Sequence, residues 1–160
     1  MREKILTIIE KNSRISEQEM AGILGEDAAV IKAEIEAMEK EHIICGYPTL
    51  INWDKTTVEK VSALIEVSVT PQKGQGFDSI AEQICHFPEV RSVYMISGSY
   101  DLLVAIEDRT MREVALFVAE KLSPISGILS CKTNFVLKRY KDHGSAMELP
   151  KRDERMKVRP

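Results

Sequence analysis

The chain has 160 residues, of which 44% are hydrophobic and 29% charged, with a formal net charge of −3; that is a globular composition with enough apolar residues for a core. It contains no run of about 20 apolar residues, as a membrane-spanning helix would need, and its charged opening, Met1, Arg2, Glu3 and Lys4, does not read as a signal peptide. Cys45, Cys85 and Cys131 are odd in number and far apart, which excludes a disulfide framework or a zinc-site spacing, so a cytoplasmic protein is expected, with its cysteines reduced and mostly buried.

Residues 2–11 predict a helix, with Ile5, Ile8 and Ile9 at helical spacing. Ser16 and Glu19 make the S-x-x-E pattern that opens a second helix, whose inward residues are expected to be Met20, Ile23 and Leu24. Gly25 supplies a left-handed stop, and Asp27 can cap a third helix running to about Glu41 with the apolar stripe Val30, Ile31, Ile35 and Met38. Three short helices, with a break of about three residues between the second and third, form a helix-turn-helix pattern in which the third helix would enter the DNA major groove. Any small three-helix domain gives a similar pattern.

Residues 43–52 are apolar with Gly46 and Pro48 among them, and suit an extended connector. From Val61 the period changes. Val61, Ala63, Ile65, Val67 and Val69 alternate with polar residues, as in a half-buried strand. After a loop at 71–76, Phe77, Ile80, Ala81 and Ile84 mark an amphipathic helix that ends before Pro88. Strands are expected at 90–97 and 102–107, then a helix at 110–122 with Met111, Val114, Val118 and Leu122 inward, then a last strand from Ile128 to about Tyr140. The order β-α-β-β-α-β is the ferredoxin-like split unit. Residues 102–106 are apolar on both faces. The open side of the sheet is therefore expected to be covered, most simply by a second copy of the domain.

Four local patterns, in this order and spacing, resemble the Lrp/AsnC (leucine-responsive, or feast/famine) family of transcriptional regulators. They are the first helix followed by Ile15, Ser16 and the capped second helix; Leu24 and Gly25 leading through the third helix to Ile43, Ile44, Cys45, Gly46 and Tyr47; the G-x-Y-D turn of Gly98, Ser99, Tyr100 and Asp101; and the closing stretch from Thr133 to Tyr140 and Lys141. The resemblance implies an α+β two-domain protein, with an N-terminal winged-type helix-turn-helix and a C-terminal ferredoxin-like βαββαβ regulatory domain built on an antiparallel sheet. The expected boundaries are 1–47 for the helix-turn-helix DNA-binding domain, 48–60 for a linker strand and hinge, 61–141 for the effector-binding and oligomerisation domain, and 142–160 for a charged tail. It also implies a self-associating protein, a dimer and beyond it an oligomer such as an octamer, that binds double-stranded DNA and an amino-acid effector. No cofactor, metal or membrane is expected, and no catalysis: neither a Ser/His/Asp order, nor paired carboxylates, nor a phosphate loop is present.

The candidate DNA-binding residues are Arg14, Gln18, Ala28, Ala29 and Lys32. Small alanines can approach a thymine methyl, and Lys32 can reach a guanine or a phosphate. Where the family carries arginines, this chain has Ala33 and Glu34, and residues 26–41 hold six carboxylates against Lys32 and Lys40. Phosphate contacts are therefore expected to be few, with Arg2, Lys4, Lys11, Arg14 and the basic residues of the tail compensating. The candidate effector-binding residues are Ser97, Gly98, Ser99, Tyr100, Asp101 and Thr133. Asp101 can pair with an α-ammonium group, the serines and backbone N–H groups can hold a carboxylate, Tyr100 gives a flat wall, and Gly98 can take a backbone conformation other residues resist. A plain β-turn uses the same residue types. Cys131 stands where the family often has a threonine. The alternative reading is an amino-acid-sensing oligomer whose helical domain contacts protein rather than DNA; an RNA-binding ferredoxin-like domain is disfavoured because residues 102–107 lack stacking aromatics.

Overall fold

The computed structural model describes residues 1–70 and 76–148. Most of the loop expected at 71–76 and the tail beyond residue 148, with its basic residues, lie outside the described residues. The chain divides into two compact units, Met1–Thr49 and Leu50–Pro160.

The first unit holds α1 (Arg2–Lys11), α2 (Glu17–Leu24) and α3 (Ala28–Lys40). The start of α2 is fixed by a reciprocal cap: the Ser16 hydroxyl accepts from the Glu19 backbone N–H while the Glu19 carboxylate accepts from the Ser16 N–H at 2.9 Å. Gly25 ends the helix at φ 71°, a left-handed conformation that a side chain would strain. Asp27 then caps α3, accepting from Ala29 N at 2.7 Å. Ile5, Met20, Ile31, Met38 and Ile44 are buried together as the core of this unit. Two residues expected inward are not: Ile23 is 64% exposed and Val30 44% exposed. Ile23 lies in the last turn of α2 and Val30 in the first turn of α3. Ser16→Ala should lower the stability of this unit by about 1 kcal/mol, read as a lower melting midpoint in far-UV circular dichroism, with Ser16→Thr close to wild type; an unchanged midpoint for the alanine variant would refute the cap.

The second unit is built on β1 (Val61–Val69), α4 (Phe77–Cys85), β2 (Val90–Met95), β3 (Leu102–Asp108), α5 (Met111–Phe117) and β4 (Ile128–Phe135), followed by a small hairpin of β5 (Lys141–Asp142) and β6 (Ser145–Ala146). The sheet order is β2-β3-β1-β4 with all neighbours antiparallel. This is the ferredoxin-like topology. Ala63, Ile65, Val67 and Val69 of β1 and Leu102, Val104 and Ile106 of β3 share one face, where Ile80 and Ile84 of α4 and Val114 and Phe117 of α5 join them in one buried core.

The details depart from the sequence pattern in physically readable ways. In α5 the inward residues are Val114, Phe117 and Leu122, while Met111 is 53% exposed. The helix passes into one π turn, Val118–Leu122, closed by Ser123 N to Val118 O at 2.8 Å; Val118, half-buried against the core, and Leu122 face inward as expected. The last strand stops at Phe135 rather than near Tyr140. Beyond it His143 (φ 41°) and Gly144 (φ 79°) make the tight turn of the β5–β6 hairpin. Met147 is buried, and its carbonyl accepts from Asn52 Nδ2 at 2.7 Å, so the first residues of the expected tail belong to the folded unit. The linker strand expected within 48–60 is not formed: this stretch has one 3-10 turn, Trp53–Lys55, and no ladder, because a lone extended segment needs a partner strand for its N–H and C=O groups. Of the cysteines expected to be mostly buried, Cys45 and Cys85 are exposed and Cys131 is half-buried, all of them free. At the C-terminal end of α4, His86 Nδ1 lies 2.7 Å from Glu82 O.

Candidate DNA-reading and effector-binding surfaces

The charge of α3 is distributed more favourably than its composition implies. Arg2 reaches from α1 to two carboxylates of the α3 region, with Nε donating to Glu34 at 2.7 Å and Nη1 to Glu41 at 2.7 Å. These bonds hold the Glu41 carboxyl below its usual range and the Arg2 guanidinium above its own. Glu39 accepts from the Tyr47 hydroxyl at 2.8 Å; partial burial and this bond push the phenol up to about 12. Three carboxylates are thus engaged inside the unit. Arg2 is engaged with them, so its expected role as a compensating phosphate contact is withdrawn.

The expected DNA-reading residues Arg14, Gln18, Ala29 and Lys32 are exposed, and Ala28 is half-buried at the start of α3. Gln18 lies in the first turn of α2, and Arg14 lies just before that helix with its backbone N–H on the Asn12 side chain at 3.1 Å. Lys32 pairs with Glu36 through a loose contact of 3.9 Å between two exposed groups, which is too weak to remove Lys32 from use. Periodicity gives the outward stripe, but the Arg2 clamp joins residues 32 and 39 positions apart, and no local pattern announces it.

In the second unit the turn between β2 and β3 presents Ser97, Gly98 and Ser99 exposed, with Tyr100 and Asp101 half-buried. Asp101 has a job within the chain: one carboxylate oxygen accepts from Val69 N at 2.7 Å, while its own N–H donates to Val67 O at 3.0 Å and its C=O accepts from Ile96 N at 2.8 Å. It straps the turn to the end of β1. The expectation for Gly98 is corrected: it is not among the glycines with positive φ, and an added Cβ would meet only Ile96 Cγ2, at 3.4 Å. Its missing side chain leaves space above the turn and is not a backbone requirement.

Thr133 stands opposite Ile65 in the β1–β4 register, on the helix-covered face, while Leu102 next to Asp101 stands opposite Val67. Asp101 and Thr133 are therefore separated by roughly 10 Å along the strands and two strand spacings, roughly 10 Å, across them. Within one chain the turn residues converge and Thr133 does not join them. Cys131, opposite Val67, is nearer; its half-burial pushes the thiol pKa up, opposed by a bond with Ser123.

A cleft of about 410 Å³, counting space open to solvent, lies toward the other end of β3, lined by Asn52, Trp53, Lys60, Glu107, Arg139 and Met147 among others. Its Glu107 is held by cations: Lys60 at 3.6 Å, Arg139 at 3.1 Å and, from outside the lining, Arg91 at 3.4 Å. Among the described residues no group of three or more His, Cys, Asp or Glu side chains could hold a metal, and no helix is long and apolar enough to cross a membrane.

The chain thus joins a capped three-helix unit to an antiparallel βαββαβ unit with an exposed, strapped turn. Residues 62–146 match the family model described as the Lrp/AsnC ligand binding domain. Over 158 residues, 98% of this chain and 95% of the relative, the sequence is 42% identical to the uncharacterized HTH-type transcriptional regulator YugG of Bacillus subtilis. Among solved structures, the fold is shared with E. coli AsnC (TM-score 0.64, 22% identity, 86% of this chain and 91% of that one). It is also shared with the transcriptional regulator NMB0573 of Neisseria meningitidis, solved as a complex with L-Met (TM-score 0.69, 23% identity, 93% of this chain and 94% of that one). The chain belongs to the Lrp/AsnC family of transcriptional regulators; it is a regulator and not an enzyme.

Proposed function

We propose that this protein is a cytoplasmic, DNA-binding regulator that works as a dimer or higher oligomer and answers to a small-molecule effector, an amino acid, held at the turn of Ser97, Gly98, Ser99, Tyr100 and Asp101 and needing no cofactor. The observation that carries it is the pairing, in one chain, of a capped helix-turn-helix having Lys32 exposed on its third helix with a ligand-binding-domain match over residues 62–146. The L-Met complex of the Neisseria regulator supports an amino acid as the ligand class. Thr133 is assigned a supporting role from another protomer, since within its own chain it does not reach the turn.

Oligomerisation brings several reading helices to one duplex and offsets weak contacts per domain. The test combines two titrations of the full chain. Fluorescence anisotropy with its own upstream duplex should show affinity falling steeply as salt rises from low to physiological. A thermal-shift series over the twenty amino acids should single out one or a few that raise the melting temperature, since a ligand at 100 times its Kd adds about 2.7 kcal/mol. Binding that ignores salt, together with no shift from any amino acid, would overturn the proposal. A second reading, in which the helical unit contacts protein, is favoured by the presence of Glu36 beside Lys32; it predicts an amino-acid shift without any duplex binding.

A further inference from the structure

We infer that Glu36 is a specificity-determining residue of the reading helix, and that it selects cytosine in the major groove about two base-pair steps from the base pair or phosphate met by Lys32. The inference rests on the reading of the first unit as DNA-binding. Ala29, Lys32, Ala33 and Glu36 are all exposed and follow one another at i, i+3, i+4 and i+7, a single stripe on one side of α3. Of the carboxylates within α3 and at its C-terminal cap, Glu34 and Glu41 are held by Arg2 and Glu39 by Tyr47. Glu36 is the one on this stripe, and the ionic contact it makes is the 3.9 Å approach of Lys32.

An anion on a surface presented to DNA has two possible relations with it. Near phosphate it repels. Near base edges it accepts a hydrogen bond, and the edge that suits a carboxylate is cytosine, whose N4 amino group stands as a donor without a neighbouring acceptor; adenine places the N7 acceptor beside its N6 donor and therefore suits an amide. Lys32 and Glu36 are one helical turn apart, about 6 Å along the axis, which is close to two base-pair steps of about 3.4 Å. Alanines at 29 and 33 keep the stripe slim, so the backbone of α3 can lie close to the groove floor. The loose Lys32 contact shields Glu36 from the phosphates while leaving its oxygens able to turn toward N4.

The experiment is selection from a randomised duplex pool with full-length wild type, Glu36→Gln and Glu36→Ala, followed by anisotropy titrations on the wild-type consensus and on its single-base variants. Wild type should enrich a half-site with a fixed C·G pair, and changing that pair should weaken binding roughly tenfold or more. Glu36→Gln should move the preference at that pair to adenine. Glu36→Ala should leave the position unselected while binding unrelated duplex more tightly. The loss of repulsion is common to both variants, whereas the change of base belongs to glutamine alone, so charge and readout are separable. Identical consensus sequences for wild type and both variants would overturn the inference while leaving DNA binding intact. A wild type that binds no duplex and enriches nothing would overturn the DNA-binding reading itself, and this inference with it.

Discussion

Replacing Leu64 with aspartate is expected to leave the chain folded and, if the proposed dimer forms through the open face of the sheet, to convert it to monomer. The register places Leu64 opposite Ala105 on one side and Asn134 on the other, and Leu103 opposite Tyr94 and Glu66. All of these point away from the helix-covered face. Leu64 is 38% and Tyr94 54% exposed, and Leu103 and Ala105 are half-buried, so an apolar strip crosses the centre of the open face. The Glu66–Lys132 contact at 3.4 Å and the Asn134–Glu66 bond at 3.0 Å border it. A second copy meeting this strip around a twofold axis presents the same residues to itself, so one substitution puts two unpaired carboxylates into the joint. Burying them costs several kcal/mol. Dimer affinity should fall by at least about a hundredfold, roughly 2.7 kcal/mol, in analytical ultracentrifugation or light scattering after size exclusion. Far-UV circular dichroism should hardly change, because Leu64 contributes nothing to the buried core on the other face. A variant that stays dimeric would place the interface elsewhere.

Asp101 offers the second large effect, and two substitutions divide it. Asp101→Ala removes the acceptor of Val69 N–H, which belongs to a residue only 5% exposed. A buried donor left without a partner costs about 1–3 kcal/mol, and a bond to a charged acceptor lies toward the upper end. The melting midpoint should drop by several degrees. Asp101→Asn keeps an acceptor oxygen and should lose little stability, yet it cancels the charge that an α-ammonium group would need. The effector-induced thermal shift should then disappear in the asparagine variant while the fold survives. An asparagine variant that still responds fully would show that Asp101 is only a strap.

The sequence carried most of the architecture because its signals were local or periodic. The Ser16–Glu19 box, the left-handed Gly25 and the Asp27 cap bound the three helices where the pattern put them, and the period-two runs of β1 and β3 named their buried faces. Local patterns could not show contacts between distant positions. Nothing in the spacing of Arg2, Glu34 and Glu41 announces that they meet, so the acidity of the third helix read as a graver obstacle to DNA than the structure makes it. The bond from Val69 N–H gives Asp101 a structural role that the G-x-Y-D pattern does not show, because it depends on how β1 passes the turn. Thr133 was grouped with the turn by resemblance, and only the β1–β4 register shows the distance between them.

The hydrogen bond between Asn52 and the carbonyl of Met147 sets the practical limits for isolating the C-terminal unit. A fragment cut at the boundaries expected from the sequence, residues 61–141, would discard both halves of that bond, the hairpin turn at His143 and Gly144, and the buried Met147 side chain. A piece that keeps this closure must include residues 50–148.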